Sequence, residues 1–377
     1  MHDPGTANGR EEAQLQSVLD SVRSLTGEIA AAAADVDREA AVDPQVIARL
    51  HDCGYFSLLQ PRAWGGCEAE PEEYLSATRE ISAACVSTGW LAGWLAVNSW
   101  GLSLRDERVQ QEIWGGDPRT LLCSSYAPTG RLERVDGGFR LTGRWTRCTG
   151  ARHASWLSAA ALLVGPDGAA QDFMAVLVPC AEYTVEPTWN GLGLRGIGAD
   201  DVVIAGAFVP DYRAFSWLDL RYDVSVAPLQ RLPQPVLYTL AGTLPLLGAA
   251  QRVLGEQRRA AVGALSAPAM AQSAVELSVT QVSRNVADLM ECARRGGFPD
   301  AELALRNRRD QVMASERALA AIRTVVQDPP AGSDELLLER IWRDVQTARM
   351  HVSSNVEQVL ALVGRFELGQ NVDDRIW

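Results

Sequence analysis

Lysine is absent from the 377 residues, so all 35 basic residues are arginine. That absence excludes Schiff-base catalysis, pyridoxal phosphate attachment and a P-loop lysine, because arginine stays protonated and is no nucleophile. Long hydrophobic runs are missing as well. No stretch approaches the roughly 20 consecutive apolar residues that cross a bilayer. The start, MHDPGTANGREEAQ, has neither a basic segment nor an apolar signal core, and the cytoplasm is the expected location. Positive charge is outweighed: 47 acidic residues give a formal net charge of -12, which argues against a nucleic-acid partner. The seven cysteines (Cys53, Cys67, Cys85, Cys123, Cys148, Cys180, Cys292) include no CxxC pair and no metal-ligand spacing. They read as small apolar residues of a reducing compartment, with neither disulfides nor a metal site expected.

What is present is an ordinary globular composition, 47% apolar and 22% charged, in a chain long enough for roughly two or three domains. From Leu15, the positions Val18, Val22, Leu25 and Ile29 recur at spacings of three and four and predict an amphipathic helix. Asp43 followed by Pro44 predicts a second helix that buries Val46, Ile47 and Leu50 and ends by Gly54. From Pro71 to about Leu104 the chain is nearly all apolar after Ile81, which predicts a buried helix or helix pair. Beyond Asp117, turn signals at GDP, PTG, DGG and GPDG separate short stretches at Phe139 to Trp145, Trp156 to Val164 and Phe173 to Val178. Tyr183 to Glu186 and Val202 to Val209 complete a set of strands joined by tight turns, which indicates an antiparallel sheet or barrel. The segment APLQRLPQP marks a linker, after which helical periodicity dominates. Its clearest case is the stripe Ile341, Val345, Ala348, Val352, Val356, Val359 and Val363. Three domains of an α+β chain are expected: helical over 1–116, a β-barrel over 117–232 and a four-helix bundle over 233–377.

With that order of domains, several segments resemble the flavin-dependent, two-component monooxygenases of the acyl-CoA dehydrogenase superfamily. LHDCGYFSLLQPRAWGG and AACVSTGW are similar to two blocks of that family's helical domain. GRWTRCTGARHASW and GLGLRGIGADDVVIAGAFVP are similar to two blocks of its β-domain. The resemblance covers nearly the whole chain. It implies a reduced flavin, FAD or FMN, delivered by a separate reductase, a small aromatic, polyketide-like or amine substrate of secondary metabolism, and a homotetramer or dimer. It also implies that Trp90 and Thr149 flank the flavin ring, with the Thr149 hydroxyl facing N5, where a hydrogen bond and a dry pocket suppress loss of peroxide. Ser124 and Asn98 join Thr149 as expected catalytic positions, and Ser125, Trp145 and Arg195 join Trp90 and Thr149 as expected cofactor contacts. Arg195 has a rival reading, a turn residue paired with Asp200 or Asp201. His153 and Trp156 read as braces of the sheet, and His351 as a structural residue on a bundle helix.

The departures from the family pattern shape the chemistry. Asn98 stands where many aromatic hydroxylases of the group have a histidine, Ile197 and Ala199 replace a threonine and a serine, and Arg147 replaces an aromatic. The ending DDRIW is read as lying before the segment in which relatives carry a second histidine or, in acyl-CoA dehydrogenases, the catalytic glutamate. An α,β-dehydrogenase of acyl thioesters is therefore a weaker alternative, beside a redox-neutral cyclase or isomerase with altered or lost flavin use. An amide such as Asn98 does not take up a proton near neutral pH. The expectation is thus a monooxygenase without a histidine base, not a simple phenol ortho-hydroxylase, acting on a substrate that needs no deprotonation, such as an acidic enol or hydroxyquinone, an electron-rich ring or a free amine. The His153→Ala variant is expected to keep most activity and to lose no pKa between about 6 and 7 in its rate profile, the range where imidazole titrates. A large fall in turnover with flavin binding intact would make His153 the base.

Overall fold

The computed structural model describes the backbone over residues 4–216, 226–260 and 266–372, and side chains there except 4–11, 259–260 and 266–267. Helix α1 (Pro4–Glu39) buries Val18, Val22, Leu25 and Ile29 along the expected edge. Helix α2 (Pro44–Asp52) starts where the Gln45 N–H donates to the Asp43 carboxylate at 2.8 Å and buries Val46, Ile47 and Leu50. The next stretch is a helix pair, α3 (Pro71–Ala84) and α4 (Val86–Ser103), broken where Cys85 is extended at φ -152. Every residue of α4 is buried, as its all-round apolar sequence requires. Helix α5 (Glu107–Trp114), capped by Asp106, was not anticipated. Its apolar positions, Val109, Ile113 and Trp114, are too few to stand out as a periodic stripe. Among the described residues no helix is long and apolar enough to cross a membrane.

Seven strands form one sheet: β1 (Leu122–Val135), β2 (Gly138–Cys148), β3 (Trp156–Val164), β4 (Ala170–Pro179), β5 (Thr184–Glu186), β6 (Asp200–Pro210) and β7 (Ala214–Ser216). Their order is β5-β6-β2-β1-β3-β4-β7. The pairings are antiparallel except β1 with β3, which is parallel, so the sheet is mixed where a wholly antiparallel one was expected. The cause is the connection from β2, which crosses the end of β1 through 149–155 and enters β3 on its far side. The order is linear, not a closed ring. The sheet curls over a core of Leu132, Trp145, Leu157, Val176, Val202 and Ile204. Strand β1 runs through the Pro-Thr-Gly that reads as a turn in sequence, because that signal marks a register shift between Ser125 and Gly130.

The C-terminal part holds α6 (Gln234–Ala260), α7 (Ser266–Arg294), α8 (Ala301–Gln327), α9 (Glu335–Ala348) and α10 (Val356–Glu367). The stripe expected to be uninterrupted from Ile341 to Val363 is broken. Ile341, Val345 and Ala348 are buried on α9, then a 3-10 turn at Val352–Ser354 exposes Val352, and α10 starts where the Gln358 N–H donates to Asn355 Oδ1. Ser353, Ser354 and Asn355 offer local side-chain bonds that compete with helix, and periodicity cannot register them.

A clasp ties the layers together. The loop at 191–198 lies on α9, where the Leu194 N–H donates to Asp344 Oδ1 at 2.6 Å and the Gly193 N–H donates to Thr347 Oγ1 at 2.9 Å. Arg343 donates to both carboxylate oxygens of Asp37 at the end of α1, at 3.0 and 2.7 Å. A Cβ at Gly193 would collide with the Arg343 backbone. Burial pushes the Asp344 carboxyl up to about 7, against the Leu194 N–H, with Asp37 adding to the rise and Arg343 and Arg340 opposing it. The folded chain therefore keeps a proton that the unfolded chain releases near pH 3.8, and this group's contribution to stability falls as pH rises between 3.8 and about 7. In Asp344→Asn, which keeps an acceptor for Leu194, the thermal midpoint relative to the parent should rise between about pH 5 and about pH 8. Asp344→Ala, which orphans the Leu194 N–H, should lose about 1–3 kcal/mol throughout that range. A constant offset of the Asn variant across pH would show that Asp344 is ionised in the folded chain.

Candidate active site

Helix α4 places Trp90, Trp94 and Asn98 at spacings of four, on one face. Strand β1 brings Tyr126, α6 brings Tyr238, and the break between α9 and α10 brings His351 to the same place. The His351 ring meets Trp90 at 5.5 Å and 78° and Trp94 at 5.0 Å, while Tyr238 meets Trp94 at 6.1 Å and Tyr126 edge-on at 5.3 Å. The Tyr238 hydroxyl donates to Asn98 Oδ1 at 3.2 Å, and Asn98 Nδ2 donates to the Leu122 carbonyl at 3.1 Å. Gly101 is required here, since a Cβ would collide with the Tyr238 hydroxyl. Thus the helical, sheet and bundle parts each contribute a wall.

Burial decides the protonation states. It holds the His351 imidazole near 4, helped by the positive charges of Arg308 and Arg147, and it raises the phenols of Tyr126 and Tyr238 above the usual tyrosine range. Arg308 is 9% exposed, and burial alone lowers it to about 10. Arg105 donates to Gln234 Oε1 at 2.8 Å and lies 3.7 Å over the Phe215 ring. At neutral pH the box is therefore made of uncharged rings with arginines at its margin. Two buried donors, Trp94 Nε1 and Arg308 Nη1, have no hydrogen-bond partner among the described residues. Orphaned donors beside stacked aromatic walls fit a planar ligand that carries acceptor atoms, which describes both a flavin ring and a phenol.

Of the positions singled out in the sequence, Trp90 and Asn98 stand in this box. Thr149 is the first residue after β2, in a turn whose Gly150 packs on Leu91 and Leu95 of α4, so it lies along the helix that carries Trp90. Ser124 bonds toward Tyr126, whereas Ser125 turns to the other side of β1 and bonds toward Cys148. Trp145 is not in the box. Its side chain is fully buried in the sheet's own core, where Nε1 donates to the Ala160 carbonyl at 2.7 Å. Arg195 is also elsewhere, donating to the Asp37 carbonyl at 2.7 Å. Asp200 and Asp201, its expected partners, pair instead with Arg152 and Arg144. Ile197 and Ala199, each 3% exposed, fill packed positions, which accounts for the missing hydroxyls of that loop. His153 is half-buried in the turn between β2 and β3. The histidine against Trp90 is His351, which the sequence reads as a structural residue on a bundle helix, and not His153. Periodicity had assigned His351 to a continuous helix. The Ser-Ser-Asn that follows it is the signal that frees it.

Models of the acyl-CoA dehydrogenase N-terminal domain and C-terminal domain match residues 12–102 and 240–356 respectively. The flavin-dependent monooxygenase oxygenase subunit HsaA of Mycobacterium tuberculosis is 32% identical, over 95% of this chain and 97% of its own. The oxygenase component of the FADH(2)-dependent resorcinol hydroxylase of Rhizobium sp. is 30% identical, over 98% of this chain and 97% of its own. The crystal structure of HsaA from M. tuberculosis superposes with a TM-score of 0.90, covering 96% of this chain and 100% of that one at 32% identity.

Proposed function

The chain belongs to the acyl-CoA dehydrogenase family, in its branch of reduced-flavin-dependent monooxygenase oxygenase components, and on that premise we propose that it hydroxylates a small phenol-like ring. The observation that carries this reading is the box of Trp90, Trp94, Tyr126, Tyr238 and His351, closed by residues from every part of the fold, with Trp94 Nε1 unpartnered on its wall and Arg308 Nη1 unpartnered at its margin. The names of the relatives, a resorcinol hydroxylase among them, agree with an aromatic substrate. A separate reductase supplies the reduced flavin, as the standing of this branch as oxygenase components requires.

Bound reduced flavin would supply activated oxygen to the ring. In this reading Trp90 and Thr149 flank the flavin, with the Thr149 hydroxyl donating a hydrogen bond to it. Ser124 and Asn98 orient the substrate with Tyr126 and Tyr238, and the apolar walls exclude water. Trp145, Ser125 and Arg195 act by framing the sheet and its loop. The charged groups that act on His351 and Tyr126 are arginines, so among the described residues no carboxylate acts on these walls as the base that the dehydrogenase alternative needs. Anaerobic titration should show tighter binding of reduced than of oxidised flavin, and oxygen from labelled O2 should appear in a hydroxylated phenol. Equal affinity for both flavin states and no labelled product across a panel of phenols would sink the reading.

Removing the Thr149 hydroxyl removes a hydrogen bond of about 0.5–1.5 kcal/mol, up to about a tenfold change in a rate. Thr149→Ala should therefore raise the share of consumed oxygen that emerges as free hydrogen peroxide. An unchanged share would remove the assigned role. We also propose the domain limits 1–116, 117–232 and 233–377 and a homotetramer or dimer. Apolar residues at the C-terminal surface, Leu336 and Met350 at 79% and Leu368 at 77% exposure, supply a face for assembly. Light scattering that shows only a 40.8 kDa particle in dilute solution would exclude the oligomer.

A further inference from the structure

The turn that carries His351 is held from three sides. Ser353 lies at its centre, 8% exposed, and its N–H donates to His351 Nδ1 at 3.2 Å while its hydroxyl lies 2.8 Å from the same nitrogen. Arg308 of α8 donates through Nη2 to the Ser353 carbonyl at 2.5 Å. Helix α6 closes the third side at Gly242, where a Cβ would collide with the Ser353 hydroxyl.

A backbone N–H can only donate, so Nδ1 has to be the accepting, unprotonated nitrogen. The single proton of the neutral ring then sits on Nε2, on the edge of the ring away from the turn. Nε2 makes no hydrogen bond to any described residue and is not among the buried unpartnered atoms, which leaves it open to a ligand. Protonating Nδ1 would set two donors against each other. From the geometry we propose that Arg308 is a positioning residue that, through Ser353, holds His351 as the Nε2–H tautomer, so that the histidine meets the substrate oxygen as a neutral hydrogen-bond donor and not as a base. The assignment of a substrate to this place rests on the hydroxylase reading above, but the tautomer does not.

The charged neighbours agree. Arg308 on α8 and Arg147 on β2 face the ring with positive charge, while Trp90 and Trp94 of α4 and Gly242 of α6 contribute no ionisable group. Burial is the largest cause holding the imidazole near 4, and the two arginines add to it, so the ring stays neutral throughout the ordinary working range.

Long-range proton–nitrogen NMR of the protein labelled in its four histidines reads the tautomer directly, with His351→Gln assigning the signal. The expected result is a protonated Nε2 and a bare Nδ1 from about pH 8 down to about pH 5. A proton on Nδ1, or a charged ring near pH 7, would overturn the proposal. Arg308→Lys, which keeps a cation and a donor for the Ser353 carbonyl, should preserve the Nε2–H signal, and so should Ser353→Ala, which keeps the N–H. Arg308→Leu should raise the ring's pKa and let the Nδ1–H form appear. No change in either, in a variant that folds, would assign Arg308 a purely structural part. Should that variant not fold, the parent tautomer and the lysine variant still decide the question. Failure of the parent to bind reduced flavin or to hydroxylate any phenol would remove the hydroxylase reading and leave the tautomer result standing.

Discussion

The buried carboxyl of Asp344, accepting the Leu194 N–H at 2.6 Å, is the contact on which the arrangement of the three parts depends. It joins a sheet loop to a bundle helix, and its neighbour Arg343 joins the same helix to Asp37 at the end of α1. A buried acid is normally unfavourable unless it is neutral or bonded. Here it is both, since burial raises its pKa and the loop supplies a donor. Helix α9 is thereby set in position, and it ends at Ala348, three residues before His351. The geometry of the aromatic box is thus a consequence of a clasp that touches none of its rings.

Close approach is the second constraint. Gly89 lets α4 lie against Ser82 of α3, Gly101 makes room for Tyr238, and Gly242 makes room for Ser353. Each of these glycines stands in a helix, where glycine is locally unfavourable by about 1 kcal/mol against alanine. The compensation is tertiary: helix backbones come near enough for side chains from α4, α6 and the turn after α9 to meet over one space.

Much of this was legible in the residues. The stripe of α1, the Asp-Pro start of α2, the all-round apolar α4 and the strands β2 to β6 follow from periodicity and turn chemistry, whereas β1 and β7 do not, and blocks such as GRWTRCTG carried the family. Site geometry was less legible, for physical reasons. Trp145 and Trp90 look alike as buried indoles, yet one faces the sheet core and the other the box, and only the curl of the sheet separates them. Arg195 stands closer in sequence to Asp200 and Asp201, but pairs with Asp37, 158 residues away, because docking on α1 is set by the whole fold. His351 was hidden by apolar spacing that runs on through a real break in the helix. The parallel pairing of β1 with β3 was invisible because it depends on which side of β1 the chain passes, and local sequence does not encode that choice.

The same burial that shapes the box leaves it with few groups able to change charge. His351 titrates near 4, Arg308 near 10, and the phenols of Tyr126 and Tyr238 lie above the usual tyrosine range. Asn98 contributes an amide, which neither gains nor loses a proton in this range. Across ordinary working pH the walls therefore keep one charge state, and a bound phenol, with a solution pKa near 10, is the group most open to change. Arginines at the margin favour its anion, while burial among uncharged rings opposes it. In the proposed reading, the balance between those two effects, set by Arg308, Arg147 and Arg105 against the aromatic walls, would determine whether the ring is hydroxylated as a phenol or as a phenolate. An ionisable side chain in place of Asn98 would put part of that decision in the protein. With the amide there, the decision rests with the substrate's own acidity and the field that the three arginines impose on it.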